Sequence, residues 1–393
     1  KLYLKHGGMY EIPHMIFSYY PMNLDLLYLV PLYFGNDIIP KYIHFSFALL
    51  TAWLIFAYLR SRLNSVYGLF GAIFFVSIPI IIKLSISVYV DLGLIFFSTA
   101  SLLLLFRWLN SGFALKYLVP AAIFCGLAMG TKYNGLIVFF LLSLFVPFIS
   151  SRYSGKSSVD IFKVLGQGML FFFVALLIFS PWVIRNYIWT GNPLYPLFNE
   201  FFIGNEGAAM SSVSLFAYRE VLYGESWWQM ALLPVRIFFQ GRDGNPQYFD
   251  GILNPFLFLL PFFSFYQIKN DSPIIKTEKK ILLAFAVLFF AFAFFSSGLR
   301  IRYISPIIPP LVILSVFGVK KMFDLVANLK ARKWQQIGTI TIFCVTSIVL
   351  VFNGLYVFKQ YKEVDPFSFI TGKVTRDAYI EKYRPEYPVM KYI

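Results

Sequence analysis

Ten stretches of this chain are apolar over roughly the length that an α-helix needs to cross a bilayer, which is about 20 residues. An eleventh apolar run, at 23–36, is interrupted by Asp25 and Pro31 and is predicted to be interfacial or re-entrant. Because lipid cannot satisfy backbone polar groups, the ten stretches are predicted to be helices of an all-α polytopic membrane protein. They lie at 40–59, 66–82, 91–109, 116–131, 134–150, 164–184, 252–267, 281–297, 303–319 and 335–354.

The composition supports a bilayer as the main solvent. Of the 393 residues, 59% are hydrophobic and 13% are charged, whereas soluble proteins carry about 25% charged residues. One or two globular cores of this length could not bury 47 Phe and 26 Tyr. These values exclude a cytosolic enzyme, a coiled coil and a disordered chain.

The basic residues are concentrated in alternate loops. The loops at 60–65, 107–116, 151–163, 268–280 and 320–333 hold 16 of the 34 Lys and Arg but only four of the 19 Asp and Glu. Short loops rich in Lys and Arg mark the cytoplasmic side. The net charge of +15 therefore reflects topology, and no nucleic-acid partner is predicted.

The opposite, outer side then receives the long segments 1–39 and 185–251 and the tail 355–393. We expect one membrane domain over 1–354, with 1–39 as its first outer loop and 185–251 as its large outer loop. Residues 355–393 are expected to begin an outer C-terminal segment. The chemistry is predicted to take place outside the cell (cytoplasmic) membrane, in the periplasm or the extracellular space.

Charged residues near membrane helices are costly and are therefore candidates for function. Asp91 could be a plain helix N-cap, or a carboxylate that positions an acceptor hydroxyl or a metal. Lys132 could extend its ammonium group to the lipid headgroups, or bind a ligand. Aromatic anchoring at the interface does not explain the Arg185–Asn186 pair. Arg300 and Arg302, on the side where positive charge is disfavoured, favour binding of a phosphate or pyrophosphate over simple headgroup contact.

These residue types fit transfer of a sugar from a polyprenyl-phosphate donor. The leaving phosphate needs cations around it but no general acid, and a carboxylate can orient the acceptor hydroxyl or take its proton. His6, His14 and His44 are scattered and form no metal motif, and neither a P-loop nor a GxGxxG motif occurs. No cofactor is predicted with certainty, although a divalent cation stays open.

At the level of motifs the chain resembles the GT-C superfamily of membrane glycosyltransferases, in particular the branch of protein O-mannosyltransferases and lipid A aminoarabinose transferases. The resemblance rests on the order and spacing of several short pieces. These are Lys1–Gly7 with Tyr19–Asn23, Tyr89–Leu92, Gly130–Tyr133, Ser180–Trp182 with Arg185–Tyr187 and Gly191–Pro193, and Arg302–Tyr303 before Pro306 and Pro309.

The resemblance implies a GT-C bundle of about ten visible transmembrane helices, a polyprenyl-phosphate donor and a glycan, lipid or protein acceptor. It implies that Asp91 is the second acidic position near the donor. The principal acidic residue is expected upstream of Lys1, after a further N-terminal helix, and a C-terminal outer region is expected beyond the given sequence. The residues implied to bind the donor phosphate are Lys132, Tyr133, Arg185, Arg300, Arg302 and Tyr303.

For the acceptor, candidate residues are Glu11, His14, Trp227 and Trp228. The two tryptophans are candidates because aromatic faces suit sugars, and Glu11 could alternatively substitute for the principal acidic residue. Trp227 and Trp228 could equally anchor an interfacial helix. The leading hypothesis is an inverting glycosyltransferase. The alternatives are a transporter or flippase of a lipid-phosphate substrate and an O-antigen polymerase or ligase.

Overall fold

A computed structural model describes residues 2–153, 160–203, 214–294 and 298–392. Every regular element in these ranges is helical. The α-helices are α1 (Leu2–His6), α2 (Asn23–Tyr33), α3 (Ile39–Arg62), α4 (Ser65–Ser77), α5 (Pro79–Ser85), α6 (Asp91–Asn110), α7 (Leu115–Met129), α8 (Gly135–Tyr153), α9 (Ile161–Thr190), α10 (Asn199–Ile203), α11 (Leu215–Tyr223), α12 (Trp227–Ala231), α13 (Leu233–Phe239), α14 (Phe256–Phe265), α15 (Pro273–Phe294), α16 (Ile308–Ala327), α17 (Arg332–Val364), α18 (Pro366–Ile370), α19 (Arg376–Tyr383) and α20 (Tyr387–Tyr392).

Nine of the ten predicted spans each coincide with one α-helix over most of their described residues, and 66–82 falls on the pair α4 and α5. Residues 295–297 of the span 281–297 lie outside the described residues. The all-α membrane class is confirmed. Five of the described helices (α3, α6, α8, α9 and α17) are long and apolar enough to cross a membrane, and α4 with α5 makes a sixth candidate bent by 64°. Helices α7 and α14 are apolar but shorter. Helices α15 and α16 carry charged residues within their length. The prediction of about ten spans is therefore confirmed in part.

Local sequence explains where several of these helices begin and end. The Asn64 side chain accepts hydrogen bonds from the backbone N–H of Val66 and Tyr67 at the start of α4. The Asp160 side chain accepts one from Lys163 at the start of α9. At the other end of α9, Gly191 adopts a φ of 72°, the left-handed conformation that commonly ends a helix.

Helix α6 forms the centre of the bundle. In its most apolar 18-residue window 78% of the residues are buried, compared with 22% for α9 and α17. A helix that is buried all round belongs to the interior, whereas one whose apolar side chains remain exposed suits contact with lipid. The position of α6 matters because its first residue is Asp91.

One end of the bundle is held together by Glu278, which is fully buried. Its carboxylate accepts hydrogen bonds from the Tyr58 hydroxyl (2.8 Å), Arg62 and the Asn110 amide (2.7 Å). Three loops predicted to lie on the inner side therefore meet at one end, as alternation of the spans requires. We call this the inner end. Lys156, counted among the inner basic residues, lies outside the described residues.

The opposite end, which we call the outer end, carries the long segments. Residues 1–39 contain α1 and α2, and 185–251 contains α10 to α13. Helix α17 continues past residue 354 to Val364 before the short helices α18 to α20. The domain division at 354 stays a prediction.

Candidate functional site

The core of the candidate site is a buried ion pair at the outer end. Asp91 is 2% exposed, and its carboxylate accepts a hydrogen bond from the Lys132 ammonium at 2.6 Å. Lys132 lies in the short turn between α7 and α8. This contact fixes the position of the Lys132 ammonium at the start of α6.

His44, in α3, holds the start of α6 in place. Its Nε2 accepts a hydrogen bond from the backbone N–H of Leu92 at 3.0 Å. With Nε2 as the acceptor, Nδ1 carries the proton and donates to the carbonyl oxygens of Leu84 (3.0 Å) and Ser87 (2.9 Å). The first turn of α6, which carries Asp91, is thus tied through His44 to α3 and to the segment 84–87.

Arg302 lies beside this pair on tyrosine rings. Its guanidinium carbon is 4.8 Å from the centroid of Tyr89 and 5.3 Å from that of Tyr303, and the Lys132 ammonium is 4.7 Å from the same Tyr303 ring. Burial alone would lower the pKa of Arg302, but the Asp91 carboxylate and Tyr303 raise it above its ordinary value. Among the described residues, the buried Nε of Arg302 has no hydrogen-bond partner and no carboxylate forms an ion pair with the guanidinium.

A cavity of about 970 Å³ opens above these residues. Five of the seven residues predicted for catalysis and donor phosphate line it: Asp91, Lys132, Tyr133, Arg302 and Tyr303. They come from α6, the α7–α8 turn and the short 3-10 helix Ile301–Tyr303. The structure therefore brings together residues that are more than 200 positions apart in the sequence.

The first outer loop forms another wall of this cavity. The backbone N–H of Asn23 donates to the Gly130 carbonyl at 2.9 Å, and the Asn23 amide oxygen accepts from the Trp182 indole at 2.9 Å. A Cβ at Gly130 would lie 2.2 Å from the Asn23 amide nitrogen, so this close approach requires glycine. The Tyr28 hydroxyl donates to the Tyr89 carbonyl at 2.6 Å.

Arg185 secures that loop and does not line the cavity. Its Nη2 donates to the carbonyls of Tyr19 (2.6 Å) and Tyr20 (3.1 Å), and its guanidinium lies between Trp182 and Trp189 at 4.7 and 4.9 Å. The neighbouring Asn186 amide donates to the Tyr133 hydroxyl at 2.9 Å. Arg185 thus contacts the loop directly and reaches the cavity wall only through neighbours.

Arg300 points to a different cluster. Its Nη1 lies 3.5 Å from the Asp250 carboxylate, which also pairs with Lys83 at 2.9 Å. Lys83 in turn pairs with Asp243 at 3.0 Å. This network joins α5 to the large outer loop, and Arg300 is not among the residues that line the cavity.

The acceptor candidates are dispersed. The Glu11 carboxylate accepts a hydrogen bond from the Tyr19 hydroxyl at 2.7 Å, and His14 is exposed. Neither lines the large cavity. Trp227 is 78% exposed, whereas Trp228 lines a second cavity within the large outer loop.

Sequence reasoning did not assign a site role to Asp25, which lines the cavity from α2. Asp25 also lines an adjoining cavity of about 340 Å³ whose walls are mostly apolar. Among the described residues, no cation forms an ion pair with its carboxylate. The signal that could have found it is a lone carboxylate within an apolar segment, which is a functional candidate in a membrane protein.

No three His, Cys, Asp or Glu side chains come together as metal ligands in the part of the chain that the structure describes. The nearest carboxylate to the predicted phosphate ligands, Asp91, is already bonded to Lys132. These residues do not form a cage for a divalent cation. The divalent cation that the sequence left open stays a prediction.

Comparisons with known proteins relate this chain to membrane glycosyltransferases. Residues 34–184 match the family model described as dolichyl-phosphate-mannose-protein mannosyltransferase. This confirms, over the matched residues, the resemblance predicted from the sequence, and the protein is a multi-pass membrane protein. The matched part includes Asp91 and Lys132 but ends before Arg302. No curated protein sequence matches the chain.

Solved structures give fainter likenesses. ArnT from Cupriavidus metallidurans bound to undecaprenyl phosphate matches at 17% identity with a TM-score of 0.48, over 86% of this chain and 61% of ArnT. The apo oligosaccharyltransferase of Archaeoglobus fulgidus matches at 15% identity with a TM-score of 0.49, over 94% of this chain and 51% of that one. The chain thus spans between about half and three fifths of the length of these proteins.

Proposed function

We propose that this chain, whose residues 34–184 match the dolichyl-phosphate-mannose-protein mannosyltransferase family, is a membrane glycosyltransferase. It transfers a sugar from a polyprenyl-phosphate donor to an acceptor at the outer face of the membrane. The observation that carries the proposal is the pair of cations in the large cavity. Lys132 is held by a buried carboxylate, and Arg302 has a buried Nε that finds no hydrogen-bond partner in the part of the chain that the structure describes. Such an arrangement is ready to bind an anion.

In the proposed reaction, an acceptor hydroxyl attacks the anomeric carbon of the donor sugar from the face opposite the phosphate. The bond between that carbon and the phosphate oxygen breaks, and the polyprenyl phosphate leaves with the electron pair. Lys132 and Arg302 stabilise the negative charge that develops on the phosphate. Inversion at the anomeric carbon follows from a single displacement.

The acceptor proton needs a carboxylate to receive it. Asp91 is bonded to Lys132 and serves in this proposal to hold that cation. The principal base is the acidic residue expected upstream of Lys1. Asp25 lines the cavity from the first outer loop, and in this proposal it orients the acceptor hydroxyl.

An amphiphilic donor requires an apolar surface next to its phosphate site. The adjoining cavity shares four lining residues with the large one, and its remaining lining is mostly apolar, with Asp37 as its one further charged residue. The shared residues are Tyr3, Met22, Asp25 and Val88, and the others include Leu26, Leu29 and Leu32. This surface supports a donor with a hydrocarbon chain.

We extend the proposal to topology. The four helices α7, α14, α15 and α16 cross the membrane with the six candidates, which gives a GT-C bundle of ten visible spans. The segments 1–39 and 185–251 then face the periplasm or the extracellular space. The acceptor is a glycan, a lipid or a protein that reaches the outer end.

The direct test uses the natural full-length protein in lipid nanodiscs, with binding of undecaprenyl phosphate as the readout. Arg302→Gln is expected to weaken binding by about tenfold or more, because a hydrogen-bonded charge contact is lost. Arg300→Gln is the matched control, since Arg300 pairs with Asp250 and does not line the cavity. Its binding is expected to be unchanged.

The second measurement incubates the same protein with a panel of polyprenyl-phosphate sugars and follows release of polyprenyl phosphate and of labelled product. Transfer that is lost in Arg302→Gln supports the proposal. Equal binding and turnover in Arg302→Gln and the unchanged protein would refute the phosphate assignment. Movement of the intact donor between leaflets without release of phosphate would replace the transferase with a transporter.

A further inference from the structure

The large outer loop contains a second cavity, of about 480 Å³. It is distinct from the large cavity lined by Asp91, Lys132 and Arg302, which we call the donor cavity after its proposed ligand. It lies between the helices α11 to α13 and the segment 240–251. Cavities of this size fall within the range of about 300–1,000 Å³ that is typical of small-molecule sites. Its lining includes Glu225, Trp228, Arg236, Arg242 and Tyr248.

A buried network of charges fixes one wall. Glu225 is 3% exposed, and its carboxylate accepts two hydrogen bonds from Arg219, at 2.7 and 2.8 Å, and one from Arg236 at 3.0 Å. Arg236 also donates to the Gln229 carbonyl and the Gln240 amide oxygen. Two guanidinium groups therefore surround one carboxylate. The network has an excess positive charge, and Glu225 is not free to bind a cation.

The opposite wall presents a further cation. The Arg242 guanidinium carbon lies 4.6 Å from the centroid of the Tyr248 ring. Within the described ranges, no hydrogen bond or ion pair engages the Arg242 side chain. Trp228 lines the same cavity and remains 51% exposed. The cavity thus combines an available guanidinium with two aromatic side chains.

The segment that carries Arg242 and Tyr248 is held in an unusual backbone conformation. Phe249 and Asp250 have φ values of 66° and 43°, which non-glycine residues rarely adopt. A Cβ at Gly241 would lie 2.3 Å from the Gly251 carbonyl oxygen, so the two ends of the segment can approach this closely only because residue 241 is glycine. Such strain persists where surrounding contacts impose it, and it often marks functional sites.

The segment 240–251 is held by hydrogen bonds from residues near each of the two cavities. Arg219 donates to the Gln247 carbonyl at 2.6 Å. The backbone N–H of Ile301 donates to the Phe249 carbonyl at 2.9 Å, and Ile301 is the neighbour of Arg302 in the donor cavity. The segment 240–251 therefore joins the wall of the second cavity directly to the residue next to Arg302.

We infer that the second cavity binds an anionic sugar residue, one that carries a carboxylate or a phosphate. An aromatic face packs against the apolar face of a sugar ring, and a stacked guanidinium can form two parallel hydrogen bonds to a carboxylate or phosphate. The positive excess around Glu225 disfavours a cationic ligand. The role of this sugar as part of the acceptor rests on the proposed transferase function, whereas its binding does not.

The test uses the full-length protein in nanodiscs of zwitterionic lipid, without donor, and isothermal titration calorimetry. The probe is digalacturonate, and a neutral digalactoside of the same size is the control ligand. Saturable binding of digalacturonate alone is expected. Arg242→Gln and Trp228→Ala should each weaken it by about tenfold or more, whereas Trp228→Phe, which keeps an aromatic face, should weaken it less. Trp227→Ala is the matched control and should bind as the unchanged protein does, because Trp227 does not line the cavity.

Equal affinity for the charged and neutral probes, or equal loss in Trp227→Ala and Trp228→Ala, would overturn the inference. Loss of digalacturonate binding when phosphatidylglycerol is added to the nanodisc would also overturn it, because the cavity would then hold a lipid headgroup. Binding of undecaprenyl phosphate is measured in parallel on the same variants. The two measurements can fail independently, so a failed sugar site is distinguishable from a failed donor site.

Discussion

The two cavities of the outer end are built from similar parts in different settings. The donor cavity contains the buried carboxylate Asp91, its cation Lys132 and a further arginine, Arg302, stacked on tyrosine. The second cavity contains the buried carboxylate Glu225, which is paired with two arginines, and Arg242 stacked on Tyr248. A carboxylate fixes one cation in the donor cavity and two in the second, and in each cavity a further arginine forms no ion pair with the residues that the structure describes.

The difference lies in what positions these groups. Asp91 and Lys132 are 41 residues apart and depend on the packing of α6 against α7 and α8. Arg219 and Glu225 are six residues apart, within one loop. The donor cavity thus depends on the packing of the whole bundle, whereas the charge network of the second cavity lies within the large outer loop, which contacts the bundle through Phe249 and Ile301. This contrast predicts which variants alter the entire protein and which alter only one ligand.

The largest effect is expected for Lys132→Met. Loss of a cation that stabilises the leaving phosphate should lower the rate of sugar transfer by about 10²- to 10³-fold. The corresponding change in the second cavity, Arg236→Met, should leave binding of undecaprenyl phosphate unchanged. Sugar-transfer rates and undecaprenyl phosphate binding, measured on both variants, test whether the two cavities have separate ligands. If the two variants lose phosphate binding equally, the division into two cavities with separate ligands is wrong.

Asp91→Asn should destabilise the fold, because it leaves Lys132 largely buried without its counter-charge. Breaking such a pair costs about 3–5 kcal/mol, which should appear as a lower thermal unfolding midpoint in detergent. The double variant Asp91→Asn/Lys132→Met removes both charges and should recover most of that stability without recovering transfer. Glu225→Gln, by contrast, should destabilise the large outer loop first, because it leaves the buried Arg219 of that loop without its counter-charge. A double variant as unstable as Asp91→Asn would contradict the ion-pair explanation.

The fold was predictable from the sequence because lipid allows few alternatives. Apolar stretches of sufficient length must form helices, and nine of the ten predicted stretches each coincide with one α-helix over most of their described residues, while 66–82 forms the bent pair α4 and α5. The number of membrane crossings could not be predicted as firmly. Helices such as α15 contain charged residues, and the sequence does not show that Glu278 in α15 is buried among the inner loops. Only the packing reveals that Glu278 bonds to Tyr58 and Asn110.

The site was predictable where a charge contrasts with apolar surroundings. Asp91, Lys132 and Arg302 stand in such contexts, and the structure places them in one cavity. Arg300 looks equivalent to Arg302 in the sequence, but the short 3-10 helix directs them to different partners. Arg242 was not predicted at all, because an arginine in a polar loop carries no signal until Tyr248 is found beneath it.

Asp25→Asn tests a carboxylate that only the structure placed in the donor cavity. If Asp25 orients the acceptor hydroxyl, the substitution should lower the turnover number roughly tenfold and leave undecaprenyl phosphate binding unchanged. Asp37→Asn is a suitable control, because Asp37 lines only the adjoining apolar cavity. A loss of phosphate binding in Asp25→Asn, or equal effects of the two substitutions on turnover, would argue against this role.

The smallest expected effect is a local response of the large outer loop to acid. Although burial alone would raise it, the guanidinium groups of Arg219 and Arg236 hold the pKa of Glu225 below its usual range, which for a free glutamate is about 4.3. A group whose pKa is lowered by folding contributes stability at pH values above its pKa in the unfolded chain. That stability is lost as the pH falls through its pKa in the folded protein.

Protection of the backbone amides of 215–250 from hydrogen exchange, corrected for intrinsic rates, should therefore stay constant from about pH 8 to 5 and decrease below about pH 4. Glu225→Gln should have low protection in this segment throughout and no such decrease. A decrease of the same size in Glu225→Gln would show that another group is responsible, and the second cavity would then lack the local charge network that distinguishes it from the donor cavity.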